Sequence, residues 1–230
     1  MKKLLMLLFS PLFIFGQGEY NQWRFGYGSG LDFNSGSPVV VSSSINSDEA
    51  AASVADCYGK LLFYTDGETV WGSNHSRMDG GEGLLGVGSH HPPSQGALIV
   101  KHPNNPLIFY IFTASDIYGV NYSTVNMQAN GGQGKVISKN INLSRSLTQK
   151  LGVTYHQNGK DIWVITHYEN SSVYEAFLVT GSGISPTSVK SAVGPKFTSS
   201  HGDIKFNQQG TKVGAVVQDQ NLISLADFNV

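Results

Sequence analysis

Four times along the chain a short apolar strand is followed by a polar turn and a second, more strongly apolar strand. The copies are Ala52–Asp56 with Leu61–Thr65, Ala97–Val100 with Ile108–Thr113, Leu151–Tyr155 with Ile162–Thr166, and Ile204–Phe206 with Val213–Val217. Their turns centre on Gly59, Asn105, Gly159 and Gly210, in steps of 46, 54 and 51 residues. Strands on both sides of each turn, with no helical period between copies, predict an all-β protein. A repeat of roughly 50 residues predicts a β-propeller of four-stranded blades.

The second strands carry the strongest evidence for this stacking. Ile108–Phe112 reads IFYIF and Ile162–Ile165 reads IWVI, with no polar alternation. A strand reads that way when both of its faces are covered. Lys135–Leu143 reads KVISKNINL and alternates, as an outer strand with one wet face should.

The pattern also predicts the rest of each repeat. The first continues through the Asp66-Gly67 turn to Thr69–Trp71, the second through Gly119–Met127 and Lys135–Leu143, and the third through Val173–Thr180 and Thr187–Val193. Asp-Gly is a strong hairpin signal because glycine accepts a positive φ. The fourth repeat has three strands, the last within Leu222–Val230. Ahead of the repeats, Tyr20–Phe25 and Pro38–Ser43 are predicted strands separated by the glycine-rich stretch 26–36. Two closures stay open. An N-terminal strand can supply the missing outer strand and complete a four-bladed ring, or the repeats belong to a larger propeller. Four blades is the lower bound for such rings, which favours residues 17–230 as a propeller domain cut short at its C-terminus.

Met1 to Gly16 read differently. Lys2 and Lys3 precede an apolar run from Leu4 to Phe15, and Gly16 is a small residue before a cleavage point. This is the make-up of a signal peptide, 1–16, and the run is too short to span a bilayer. The expectation is a secreted or cell-surface protein without a transmembrane segment. Removing Lys2 and Lys3 takes the formal charge from −1 to −3, a weak acidic balance that offers no basic stripe to nucleic acid. Cys57 stands alone, so no internal disulfide forms, and it reads as a small packed residue at a strand end. Four Asn-X-Ser triplets begin at Asn74, Asn121, Asn142 and Asn170.

Several stretches resemble the N-terminal propeller region of large secreted Bacteroidota proteins. They are Trp23–Gly26, Gly30–Phe33, Leu61–Trp71 (LLFYTDGETVW), Asn74–Met78, Gln95–Pro103, Ile108–Ala114, Tyr122–Met127 and Leu151–His167. In that family Ig-like or PKD-like modules follow the propeller. A gliding-motility-associated C-terminal sorting domain, which directs type IX secretion, comes last. This chain carries neither. The resemblance implies a binding or scaffolding module and brings no catalytic residues with it.

Candidate chemistry is sparse. Gly26–Gly30 lacks the following helix that a phosphate loop needs. The histidines (His75, His90, His91, His102, His156, His167, His201) match no zinc spacing. His90 and His91, with Asp79 and Glu82 in the long segment Asn74–Gln95, could form a loop metal site only through a turn. His156 and His167 are expected to bond turns or backbone. Ser200, His201 and Asp203 contain triad residue types without a nucleophile elbow. Asp66, Glu68 and Glu169 are carboxylates that a glycosidase could pair, but Asp66 already has a turn role. Trp71, Trp163, Tyr110, Tyr122 and Tyr168 are expected in the core before they are expected on a sugar. The reading is a non-catalytic binding or scaffolding module without a cofactor, its protein or glycan ligand at a loop face. The alternative is a secreted carbohydrate-active or other hydrolytic enzyme.

Overall fold

The computed structural model describes residues 18–86, 94–145 and 148–229. The expected signal peptide, His90 and His91 lie outside them. Among the described residues the protein is all-β, with one helical turn at Ala129–Gly132 and two short 3-10 turns at Gly18–Tyr20 and Gln218–Gln220.

The strands form antiparallel meanders in chain order. The first is three-stranded: β1 (Gln22–Phe25), β2 (Tyr27–Asp32) and β3 (Val39–Asn46). The second holds β4 (Ala52–Ala55), β5 (Leu61–Thr65), β6 (Thr69–Gly72) and β7 (Arg77–Glu82). The third holds β8 (Ala97–Lys101), β9 (Ile108–Ser115), β10 (Gly119–Asn126) and β11 (Lys135–Ser144). One parallel pairing, Lys135 with Asp79, joins β11 to β7 and makes these two meanders a single eight-stranded sheet. The fourth meander holds β12 (Gly152–Tyr155), β13 (Ile162–His167), β14 (Ser171–Thr180) and β15 (Gly183–Phe197). The fifth is three-stranded: β16 (Gly202–Phe206), β17 (Lys212–Val217) and β18 (Leu222–Asp227).

Four apolar cores lie between successive meanders. Ile45 of the first packs with Leu61, Tyr64 and Trp71 of the second. Phe63 and Val70 of the second pack with Phe109, Ile111 and Val125 of the third. Tyr110, Phe112 and Ala114 of the third pack with Val164, Phe177 and Val179 of the fourth. Ile165, Tyr174 and Phe197 of the fourth pack with Ile204, Val213 and Ala215 of the fifth. The continuous apolar runs now have a cause. Successive side chains of a strand point to opposite faces, so Phe109 and Ile111 enter one core while Tyr110 and Phe112 enter the next. Val164 and Ile165 divide in the same way.

Three expectations are corrected. The glycine-rich stretch 26–36 is not only a connection, because it contains β2. Glycine at 28 and 30 hides a strand that residue preferences disfavour. The segment Asn74–Gln95 is not a loop throughout, because Arg77–Glu82 forms β7 against β6. The N-terminal strands do not complete the last sheet. They form a sheet of their own, and β18 has β17 as its partner. That removes the four-bladed closure in which Tyr20–Phe25 or Pro38–Ser43 pairs with the last strand.

Candidate functional site

The four repeat turns share one device. The residue that follows the first strand of each repeat turns its side chain onto backbone N–H groups of the turn or of the strand after it. Asp56 Oδ1 accepts from the N–H of Tyr58 and Lys60, both at 2.9 Å. His102 Nδ1 accepts from Asn104 and Asn105, both at 3.1 Å. His156 Nδ1 accepts from Asn158 at 3.1 Å, and Asn207 Oδ1 accepts from Lys212 at 2.9 Å. Asp, His and Asn are interchangeable here because each offers a short-range acceptor. Gly59, Gly159 and Gly210 then take positive φ at 81°, 66° and 75°.

Three of these turns, those after β8, β12 and β16, border a cavity of about 1050 Å³. Its walls are the first strands of four meanders, β4, β8, β12 and β16, with the Gly18–Tyr20 turn at the rim. At the N-terminal ends of the same strands a polar network ties the repeats together. Gln95 Oε1 accepts from the N–H of Leu151 at 3.3 Å and of Ile204 at 3.2 Å. The buried Lys150 ammonium donates to the carbonyls of Ser199 at 2.8 Å and Ser200 at 2.6 Å.

At the turn end the cavity is amphipathic. Tyr20 and Tyr155 line it and stay 69% and 60% exposed. The protein around Tyr20 raises its hydroxyl pKa, helped by Tyr155 and Glu19 and opposed by Lys101. The Lys101 ammonium holds Glu19 at 2.7 Å, and Lys205 holds Asp203 at 3.2 Å. Three acids, Glu19, Glu49 and Asp203, face three lysines, Lys101, Lys160 and Lys205, so the lining is charge-balanced.

Away from the cavity two buried titratable groups sit in the sheet cores. His167 is stacked on Phe197, with ring centroids 3.8 Å apart, and its Nδ1 meets the Tyr168 carbonyl at 2.7 Å. Burial lowers its pKa to about 4, with Lys150 adding to the shift and the Tyr168 carbonyl opposing it. Burial would raise Glu175, but hydroxyl donors Ser144 at 2.5 Å and Ser188 at 2.6 Å, with Tyr168 and Lys190, hold it below its ordinary value.

The sequence candidates scatter. Asp66 accepts from the N–H of Glu68 and Thr69 at 2.9 and 2.8 Å, the turn role expected of it. Glu68 sits beside it on the β5–β6 turn and Glu169 on the β13–β14 turn, and none of the three lines the cavity. On β7, Asp79 pairs with Lys135 and Glu82 with Arg77. No group of three His, Cys, Asp or Glu capable of holding a metal occurs among the described residues. Ser200 and His201 precede β16 within the Lys150 network, and of the triad residue types only Asp203 reaches the cavity. His156 and His167 bond backbone as expected. Trp71 and Tyr110 are buried, and Trp163 and Tyr122 pack at core edges. Cys57 corrects the expectation of a packed thiol: it is exposed in the β4–β5 turn, where no facing sheet covers it. Asn121 is 2% exposed and bonded to the carbonyl of Tyr118, so that triplet is closed to modification in the folded chain.

Sequence reasoning missed Tyr20, Tyr155 and the Glu19–Lys101 pair. One signal was available. Lys101 and Tyr155 stand immediately before the turn-capping His102 and His156, a large polar residue at a repeated position.

No protein family matches the chain, and neither does any curated protein. Among solved structures the chain is similar to a triple-arginine mutant of AofleA from Arthrobotrys oligospora. The identity is 12% and the TM-score 0.40, over 88% of this chain and 65% of that one. It is also similar to Kuenenia stuttgartiensis hydrazine synthase at 14% identity and a TM-score of 0.36, over 86% of this chain and 58% of that one. The chain thus spans less than two thirds of either structure. Among the described residues no helix is long and apolar enough to cross a membrane.

Proposed function

We propose that the five meanders are blades of a β-propeller, and that the protein is a non-catalytic binding module whose ligand enters the cavity at the turn end. The observation that carries this reading is the shared geometry of the repeats. Each successive pair encloses an apolar core, and the first strands of four repeats wall one cavity of about 1050 Å³. A cavity of that size on a rigid β scaffold suits a ligand site.

The residues at the cavity also favour binding over catalysis. His102 is an imidazole on its lining, and its Nδ1 is committed to turn backbone. Glu19 and Asp203 are each paired with a lysine, so both carboxylates already have a partner. The resemblance to exported Bacteroidota propellers supports secretion and a place in a larger cell-surface protein.

The test is binding by the full chain to immobilised polysaccharide and peptide arrays, repeated with Val153→Trp. Val153 lines the cavity and is 39% exposed, so the indole fills space without displacing a core residue. The expected result is saturable binding that returns the ligand chemically unchanged and is lost in the folded variant. Chemically altered ligand, or binding indifferent to Val153→Trp, contradicts the reading.

A further inference from the structure

Two exposed tyrosines on the wall of a charge-balanced cavity narrow the class of ligand. Tyrosine rings that stay wet in the free protein present apolar faces with a hydroxyl at the edge, a pattern typical of recognition surfaces. The backbone that carries them is also held in place. The indole N–H of Trp23 donates to the Tyr20 carbonyl at 2.9 Å, and the Lys101–Glu19 pair ties the Gly18–Tyr20 turn to β8. Tyr155 sits at the end of β12, directly before the His156-capped turn. Little backbone ordering is left to be lost on binding, which favours affinity.

The charge pattern decides between ligand chemistries. An anionic ligand asks for an excess of Lys or Arg, and a cationic one asks for acid. The lining offers three of each, with two pairs already formed. Beyond the balanced charges, the lining offers aromatic surface rimmed by ion pairs and by the amides of Asn104 and Gln208. A sugar ring has the complementary build, with an apolar C–H face and an equator of neutral hydroxyls.

We propose that the cavity mouth is a subsite for neutral oligosaccharides, in which Tyr20 and Tyr155 stack on sugar rings and the Glu19–Lys101 pair binds ring hydroxyls. This rests on the cavity reading above and adds the ligand class to it. The hydroxyls accept from the Lys101 ammonium and donate to the Glu19 carboxylate, so one ion pair satisfies both halves of an adjacent diol.

The experiment is calorimetry on the full chain with three sets of probes. The first is the neutral hexasaccharides cellohexaose, laminarihexaose and mannohexaose; the others are the acidic hexagalacturonate and a proline-rich decapeptide, which also stacks on tyrosines. The variants are Tyr155→Ala, Tyr155→Trp, Tyr20→Ala, Tyr58→Ala and Val153→Trp. Tyr58 is 81% exposed and lies outside the cavity. The expected result is binding of at least one neutral hexasaccharide, weakened about tenfold or more by either alanine at the cavity, kept by Tyr155→Trp and untouched by Tyr58→Ala. Neutral-glycan binding that ignores both cavity tyrosines overturns the inference. So does binding only of hexagalacturonate or of the peptide, and so does a blank panel. If one of those other probes binds and Val153→Trp abolishes it, the ligand class is wrong while the cavity reading stands. Binding that Val153→Trp leaves intact sinks both.

Discussion

His167 and Glu175 couple the stability of the protein to pH in two separate windows. His167 has its pKa lowered to about 4 by burial, with Lys150 and the Tyr174 ring packed beside it. Its ordinary value is 6.5, so below that pH the unfolded chain takes up a proton that the folded chain refuses. Stability therefore falls as pH drops from 6.5 and the loss levels off below about 4. The shift corresponds to about 3 kcal/mol from this one group. Glu175 works lower. Its folded pKa lies under 4.5, so its contribution is full above that value and is lost as acid protonates the folded carboxylate. Thermal melts from pH 7.5 to 3.5 are expected to show a decline beginning near 6.5 in the native chain. In His167→Phe that first decline is expected to vanish, while the loss below 4.5 remains. A pH-independent melting point between 7 and 5 in the native chain contradicts the assignment.

Elements were legible wherever a residue pattern had a single cause. The first and second strands of all four repeats stand where the apolar runs place them, and the run is unbroken in β9 and β13, which are covered on both faces. β2 and β7 were hidden because glycine fills them: Gly28 and Gly30 in one, Gly80 and Gly81 in the other. The turn-capping residues were partly legible, since His156 was expected to serve its turn, but their repetition as Asp56, His102, His156 and Asn207 emerges only once the turns are superimposed in thought. The turn glycines differ in a way that sequence does not reveal. A side chain on Gly159 meets open space, whereas one on Gly59 runs into the Asn34 side chain. Asn34 and Gln22 also donate to the Gly59 carbonyl at 2.9 and 3.1 Å, tying the first meander to this turn. Gly159→Ala is expected to cost about 1 kcal/mol for its positive φ alone. Gly59→Ala carries the same strain plus the displacement of Asn34, and chemical denaturation should place it well below Gly159→Ala in stability. Equal losses would mean that Asn34 moves aside freely.

On the scale of the whole molecule, one repeat serves two purposes. Its strands supply the faces that enclose the four cores, with Val100 and Ile204 coming from first strands, and its first strand also supplies a wall of the cavity. The sequence revealed the first purpose because burial leaves a compositional mark. It concealed the second because a cavity wall is assembled from short strands nearly 50 residues apart, and exposure at 69% for Tyr20 looks like any surface tyrosine along the chain. The terminal meanders show the same logic from outside. Ile223 and Leu225 of β18 are 75% and 77% exposed, on the face that no further sheet covers among the described residues. The central claim is that the ligand binds where the first strands converge. The most direct test is amide chemical-shift mapping of the labelled full chain saturated with whichever probe binds. The account predicts that the shifts cluster on Tyr20, Lys101, Tyr155 and the turns at 102–107 and 156–161. Shifts concentrated instead on the outer strands, such as Lys135–Ser144 or Gly183–Phe197, would contradict it.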